Sequence, residues 1–177
     1  SDQTLLREYQ IICSNIFPKF TFKILHTLKS SGVYKLIVKN NQVKRFGEFF
    51  RKLFYTSNRE KKVPEVILNA SKEIRVAFLH GLHDADGSKH LDHYEISQKG
   101  HESCAGIYYL LRSLGCTVVV DSRSDKPNVF RLRTRTVVRK VMNAVKKIVE
   151  IPHEEWVYDL TTQNHHFHAG VGDMIVH

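Results

Sequence analysis

The sequence has little of what extracellular and membrane proteins carry. Its three cysteines, Cys13, Cys104 and Cys116, are odd in number and form no C-x-x-C pair, which indicates free thiols in a reducing compartment. No apolar run reaches the ~17–25 residues that a membrane-spanning helix requires. The first residues, SDQTLLREYQ, lack the charged and then apolar profile of a secretory signal. We therefore expect an intracellular protein, in the cytoplasm or nucleus, without a membrane partner.

Positive charge, by contrast, is present in large excess. The formal net charge of the 177 residues is +9, and 42% of them are apolar, which is enough to bury a core. Nine basic residues and one acid, Asp125, lie between Arg123 and Lys147, so this stretch carries +8 of the total. Charge concentrated in one segment predicts a polyanionic partner, and nucleic acid above all.

Periodicity along the chain predicts a repeated order of elements. Apolar residues at intervals of three and four predict helices over residues 2–17, 41–55, 71–82 and 101–115. Runs rich in β-branched and aromatic residues predict hairpins over 20–38 and 116–135 and a short strand over 93–97. Ser71 is the expected N-cap of the third helix. These elements form two loosely similar αβ halves, each with its own sheet, and only strand-like runs follow Thr136. A domain boundary is therefore expected near residues 136–142.

The segment FLHGLHDADGSK places acidic residues at the end of an apolar helix. Gly81 and Ala85 would let a second helix pack closely, and two such helix ends would bring carboxylates together. Acids are unfavourable at a helix C-terminus, which points to a divalent cation bound through oxygen. On these residues alone a solvated Asp-Gly turn is the simpler explanation.

A zinc site is a weaker alternative to scattered surface histidines, because no H-E-x-x-H or cysteine pair accompanies the candidate ligands His80, His83, Asp84, His90 and His93.

The stretch LHGLHDADG resembles the LAGLIDADG motif of homing endonucleases. The resemblance implies that Asp86 holds a catalytic magnesium ion, and that two motif helices pack at the centre of a two-lobed αββαββα fold. Antiparallel saddles on either side of these helices would lie in the major groove of DNA. The stretch KKVP resembles the family's block with a catalytic lysine, a role that falls on Lys61, with Lys62 as the fallback. The matching motif positions are Leu79, Gly81, Leu82, Asp84, Ala85, Asp86 and Gly87.

Arg131, Arg133 and Arg135 alternate along one predicted strand and therefore share a face. In a DNA-binding saddle these side chains would contact phosphates and guanine edges. A plain solvent-exposed face is the alternative explanation of the same alternation.

The closing segment WVYDLTTQNHHFHAGVGDMIVH resembles the end of an intein, and more narrowly the inteins inserted in family B DNA polymerases of large DNA viruses. In that pattern a penultimate histidine, here His177, assists cyclisation of a terminal asparagine. The resemblance gives His165 a supporting role and places Asp159 beside the N-terminal scissile peptide. The matching positions are Val157, Tyr158, Asp159, Leu160, His165, Phe167, Ala169, Ile175, Val176 and His177.

The terminal asparagine, the N-terminal nucleophile block and the first motif helix of the pattern are missing from the sequence. We therefore expect an α+β chain, with an incomplete LAGLIDADG-like αβ saddle over residues 1–136. The C-terminal all-β part of a Hedgehog/intein (HINT) splicing domain would follow over 137–177.

The leading functional prediction is a C-terminal split-intein fragment. Together with a complementary N-terminal fragment it would perform protein trans-splicing without a cofactor, in a DNA polymerase as host extein. The alternative is a homing endonuclease that binds or cuts double-stranded DNA with magnesium.

Overall fold

A computed structural model describes residues 3–27, 32–39, 43–88, 93–135, 147–150, 152, 154, 156, 158–163, 166–168 and 175–176. The chain divides into two compact units, Ser1–Tyr55 and Thr56–His177. The domain boundary predicted near residues 136–142 lies outside the described residues. Within the described ranges, no helix is long and apolar enough to span a bilayer.

The first unit has the predicted order of helix, hairpin and helix. Helix α1 spans Gln3–Ile16, strands β1 and β2 span Phe22–Thr27 and Val33–Val38, and helix α2 spans Val43–Phe54. The two strands are antiparallel, with Phe22 opposite Val38 and Thr27 opposite Val33. Phenylalanine rings 4.6–6.5 Å apart pack this unit, contributed by Phe17, Phe20, Phe22, Phe46 and Phe50. Neither α1 nor α2 buries any residue fully, and the buried apolar residues of this unit, Phe22 and Val38, both lie in the hairpin.

The second unit contains the remaining helices and strands of the described chain. They are α3 (Glu65–Leu68), α4 (Lys72–Asp86), β3 (Glu95–Lys99), α5 (His101–Ser113), β4 (Thr117–Arg123) and β5 (Lys126–Arg135). Two further strands, β6 (Phe167–His168) and β7 (Ile175–Val176), form an antiparallel pair near the end of the chain. The predicted β4–β5 hairpin and the strand before α5 are confirmed, whereas most of the segment predicted as a splicing domain lies outside the described residues.

The sheet of the second unit has the strand order β3-β5-β4 and is antiparallel throughout. Its inner face carries Ile96, Leu132 and Val120 in one row across the three strands. This row packs on the buried residues of α5, and Leu79 of α4 joins the same core. Because side chains alternate along a strand, the neighbouring rows of the sheet belong to the opposite, outer face.

Helix α4 continues beyond its predicted end, through the acidic motif to Asp86. Ser71 is the N-cap residue, as predicted, but its side chain makes no capping hydrogen bond to the backbone. A hydrogen bond from Ser71 to the Glu73 carboxylate instead lowers the pKa of Glu73. The helix ends at Gly87, whose N–H donates to the carbonyl of His83 at 2.7 Å.

Candidate active site and nucleic-acid interface

Three side chains, from a loop, a helix and a strand of the second unit, meet at the end of α4. The Oδ2 atom of Asp86 accepts a hydrogen bond from Lys61 Nζ at 2.5 Å and another from Gln98 Nε2 at 2.7 Å. Lys61 precedes α3, Asp86 is the last residue of α4, and Gln98 lies on β3. The two residues predicted from separate motifs are therefore adjacent, and Gln98 is a third member that the sequence did not reveal.

Gln98 reaches this position because of the sheet register. It lies two residues after Ile96, which is fully buried, and so points to the same inner face with only 8% of its surface exposed. An isolated bridge between Gly87 and Ile96 holds the end of α4 against β3. The alternation along β3 would have indicated an inward Gln98, but only the helix–strand pairing places it on Asp86.

The loop that carries Lys61 is anchored by its neighbour Glu60. Oε1 of Glu60 accepts a hydrogen bond from Asn128 Nδ2 at 3.0 Å and lies 3.7 Å from Lys99 Nζ. The Glu60 carboxylate covers Gly100, which has φ +94° and where a Cβ atom would overlap Oε2. This packing binds the loop to the turn between β3 and α5 and thereby fixes the starting point of the Lys61 side chain.

Lys62, the fallback for the catalytic lysine, points elsewhere. Its Nζ lies 3.8 Å from Glu102 Oε1, at the start of α5. The two consecutive lysines therefore contact different carboxylates, and the geometry favours Lys61 for a role beside Asp86.

The site offers a divalent cation one carboxylate and not a full set of protein ligands. Among the described residues there is no group of three or more metal-ligating side chains. Magnesium is commonly held by one or two carboxylates together with water and phosphate oxygens, so Asp86 fits a site that nucleic acid would complete. The proposed zinc ligands His80 and His83 instead pack on the ring of Tyr94, at centroid distances of 6.4 and 5.1 Å, and His90 lies outside the described residues.

The outer face of the three-stranded sheet is basic, and the three predicted arginines share it. Arg131 lies between Ser97 of β3 and Asp121 of β4, and Arg133 lies between Glu95 and Val119. Arg135 is exposed near the end of β5. The guanidinium of Arg133 forms an ion pair with Asp121, whereas Arg131 and Arg135 have no such pair in the described part of the chain.

Of the predicted splicing residues, only Asp159 lies in the described part of the chain. Asp159 is exposed, and its Oδ1 accepts a hydrogen bond from the N–H of Leu160 at 2.8 Å. His165 and His177 both lie outside the described residues, so the arrangement predicted for the three stays a prediction.

One family model and one curated protein each match this chain over half of its length or more. The family model described as "Homing endonuclease" matches residues 62–151. A DNA polymerase of Acanthamoeba polyphaga mimivirus is 42% identical over 166 residues, covering 88% of this chain and 10% of the polymerase. This chain therefore spans about a tenth of that relative.

Solved structures of the homing endonuclease I-DmoI have the same fold. A structure of its mesophilic variants superposes with a TM-score of 0.52 at 17% identity, covering 76% of this chain and 62% of that one. I-DmoI in complex with DNA and Mn gives a TM-score of 0.52 at 17% identity, with 76% and 67% coverage. A complex with target DNA in the presence of Mg gives a TM-score of 0.52 at 18% identity, with 76% and 66% coverage.

Proposed function

Because the chain belongs to the homing endonuclease family, we propose that it is a DNA-binding endonuclease region that supplies one half of a magnesium-dependent cleavage site. The contact of Lys61 and Gln98 with one oxygen of Asp86 is the observation that carries this proposal. Two side chains remote from each other in sequence converge there on a carboxylate at the end of the motif helix. A carboxylate that simply ended a helix in solvent would need neither partner.

Each residue of the cluster has a distinct task in this proposal. Asp86 would hold a magnesium ion, which supplies positive charge to the attacked phosphate and to the leaving oxygen when it is bound. Gln98 donates to Asp86 and so holds the carboxylate in one orientation. The Lys61 ammonium stabilises negative charge that develops on the phosphate. Since one motif helix contributes one such cluster, we expect this chain to cut no double strand by itself.

Binding to duplex DNA is the first test, with the salt dependence of the affinity as the readout. Fluorescence anisotropy with a duplex of about 30 base pairs and random sequence should give an affinity that falls steeply with salt. Arg135→Ala should reduce the slope of log affinity against log salt by about one. Arg7→Ala, which removes the same charge from α1, is the matched control and should leave the slope unchanged. Binding that does not respond to salt, or equal effects of both variants, would count against the proposed DNA-binding face.

Protein splicing is a second candidate function, and the polymerase relative favours it. A homing endonuclease region with 42% identity to part of a viral DNA polymerase fits an intein inserted in a polymerase host. The residues Asp159, His165 and His177 match the intein pattern described above. We propose on this basis that the chain also carries the C-terminal splicing segment and requires a complementary N-terminal segment.

Splicing can be tested by adding an asparagine and a short extein that begins with Ser or Thr after His177, and mixing the chain with a candidate N-terminal fragment. Ligated extein is the expected product. His177→Ala should slow asparagine cyclisation by about 10²–10⁴-fold, because a positioned proton donor is lost, while branched intermediate accumulates. His166→Ala, which removes an imidazole outside the intein pattern, should splice normally. Ligation at an unchanged rate in His177→Ala would remove that histidine from the mechanism.

A further inference from the structure

The ion pair between Arg133 and Asp121 is an unusual feature for a basic surface that is proposed to meet DNA. Nη2 of Arg133 donates a hydrogen bond to Oδ2 of Asp121. The two side chains are 39% and 38% exposed, so the pair lies at the surface of the sheet. An acid at this position repels phosphates, and an exposed ion pair adds little to folding stability. Neither stability nor general DNA affinity therefore explains Asp121.

The geometry of the pair fixes the direction of the Arg133 side chain. Asp121 lies directly opposite Arg131 in the strand register, yet it binds the guanidinium of Arg133, one row further along. This diagonal contact lies across the β5–β4 pair, and β5 is the central strand of the sheet. The Nε atom of Arg133 is buried and has no hydrogen-bond partner among the described residues. The donors that remain are both hydrogens of Nη1 and the second hydrogen of Nη2.

We propose that Asp121 is a positioning residue that makes Arg133 the arginine that recognises guanine on this face, a proposal that rests on the proposed DNA binding. Recognition of guanine O6 and N7 needs both acceptors to meet a planar fork of donors, and a guanidinium held in one orientation provides that fork. Arg135 is exposed and has no acidic partner in the described chain, so it contacts phosphate without reading sequence. Asp121 thus reduces general affinity and increases sequence discrimination.

Asp121 should lower the affinity for DNA of any sequence and raise the preference for guanine, so a single substitution should change the two quantities in opposite directions. The probe is a pool of duplexes with a randomised central segment, from which bound DNA is recovered and sequenced. The wild-type chain should enrich guanine at one position. In Asp121→Asn this guanine preference should fall by about tenfold, the discrimination that one bidentate arginine contact supplies. Affinity for the unselected pool should stay equal or rise, because a negative charge has been removed from the face.

Two arginine variants complete the test. Arg133→Lys keeps the charge but not the planar fork, so it should weaken the guanine preference and keep the salt slope. Arg135→Ala should keep the guanine preference and lower affinity for all sequences alike. Urea unfolding of Asp121→Asn, compared with wild type, should give the same midpoint and so exclude a folding defect.

The outcomes separate this inference from the proposed function. If wild type binds duplex DNA but shows no guanine preference, or if Asp121→Asn keeps it, Asp121 has no positioning role and DNA binding still stands. If affinity of Asp121→Asn falls equally for all duplexes, the residue supports the face only structurally, and the inference is overturned. If wild type binds no duplex at all, the proposed function fails and this inference fails with it.

Discussion

Asp86, Lys61 and Gln98 show which residues of the candidate site the sequence predicted and which it did not. The acidic motif and the KKVP stretch predicted Asp86 and Lys61 separately, and in the structure their side chains are 2.5 Å apart. The alternation along β3 indicates an inward Gln98, but its contact with Asp86 could not be predicted. That contact depends on the pairing of β3 with the end of α4, which is a tertiary contact that leaves no trace in the local pattern.

The anchor at Gly100 leads to a prediction about a single substitution. Gly100→Ala should lower the free energy of unfolding by about 1–3 kcal/mol through backbone strain at positive φ, and further because the new Cβ overlaps the Glu60 carboxylate. Gly115→Ala is the control, since Gly115 has φ +86° and open space around a Cβ. Urea unfolding of both variants measures the difference, and equal losses would show that Glu60 does not hold the loop at Gly100.

The helices and strands were predicted more completely than their arrangement. Apolar spacing identified α1, α2, α4 and α5, and the β4–β5 hairpin followed from its two β-rich runs. The pairing of β3 with β5 was not predicted, because α5 lies between β3 and the hairpin in sequence and only packing decides which edge β3 joins. Helix α4 extends four residues beyond the predicted range ending at residue 82, to Asp86, because the DAD stretch contains no residue that prevents helical continuation.

Helix α5 gives a prediction at the level of an element. Leu110 is completely buried against the sheet, whereas its neighbour Tyr109 is 52% exposed. Leu110→Ala should lower the free energy of unfolding by about 2–5 kcal/mol, since it removes buried methyl groups and leaves a cavity. Tyr109→Ala should change it by less than about 1 kcal/mol. If urea unfolding gives similar losses for both, α5 does not pack on the sheet through the face described above.

At the scale of the whole molecule, the sequence predicted two αβ halves, and the structure has two compact units, Ser1–Tyr55 and Thr56–His177. The second unit holds both the Asp86 cluster and the basic sheet face, so metal and DNA binding would belong to one folded unit. The splicing segment was predicted from the order of tail residues alone. That order predicts a function without positioning any side chain, so the tail residues stay a prediction for the splicing experiment.

Manganese binding in the presence of DNA is the most direct test of the central claim, that Asp86 is a metal-binding carboxylate of an endonuclease site. Free Mn²⁺ is followed by electron paramagnetic resonance while the ion is titrated into the chain with a duplex bound, and binding to DNA alone is subtracted. We predict that Asp86→Asn weakens Mn²⁺ binding by at least about tenfold, because changes to metal-ligand partners alone cost 10–100-fold. Asp84→Asn, which removes an exposed carboxylate two residues earlier, should bind Mn²⁺ as wild type does. Equal Mn²⁺ affinity in wild type and Asp86→Asn would contradict the assignment of Asp86 to a metal site.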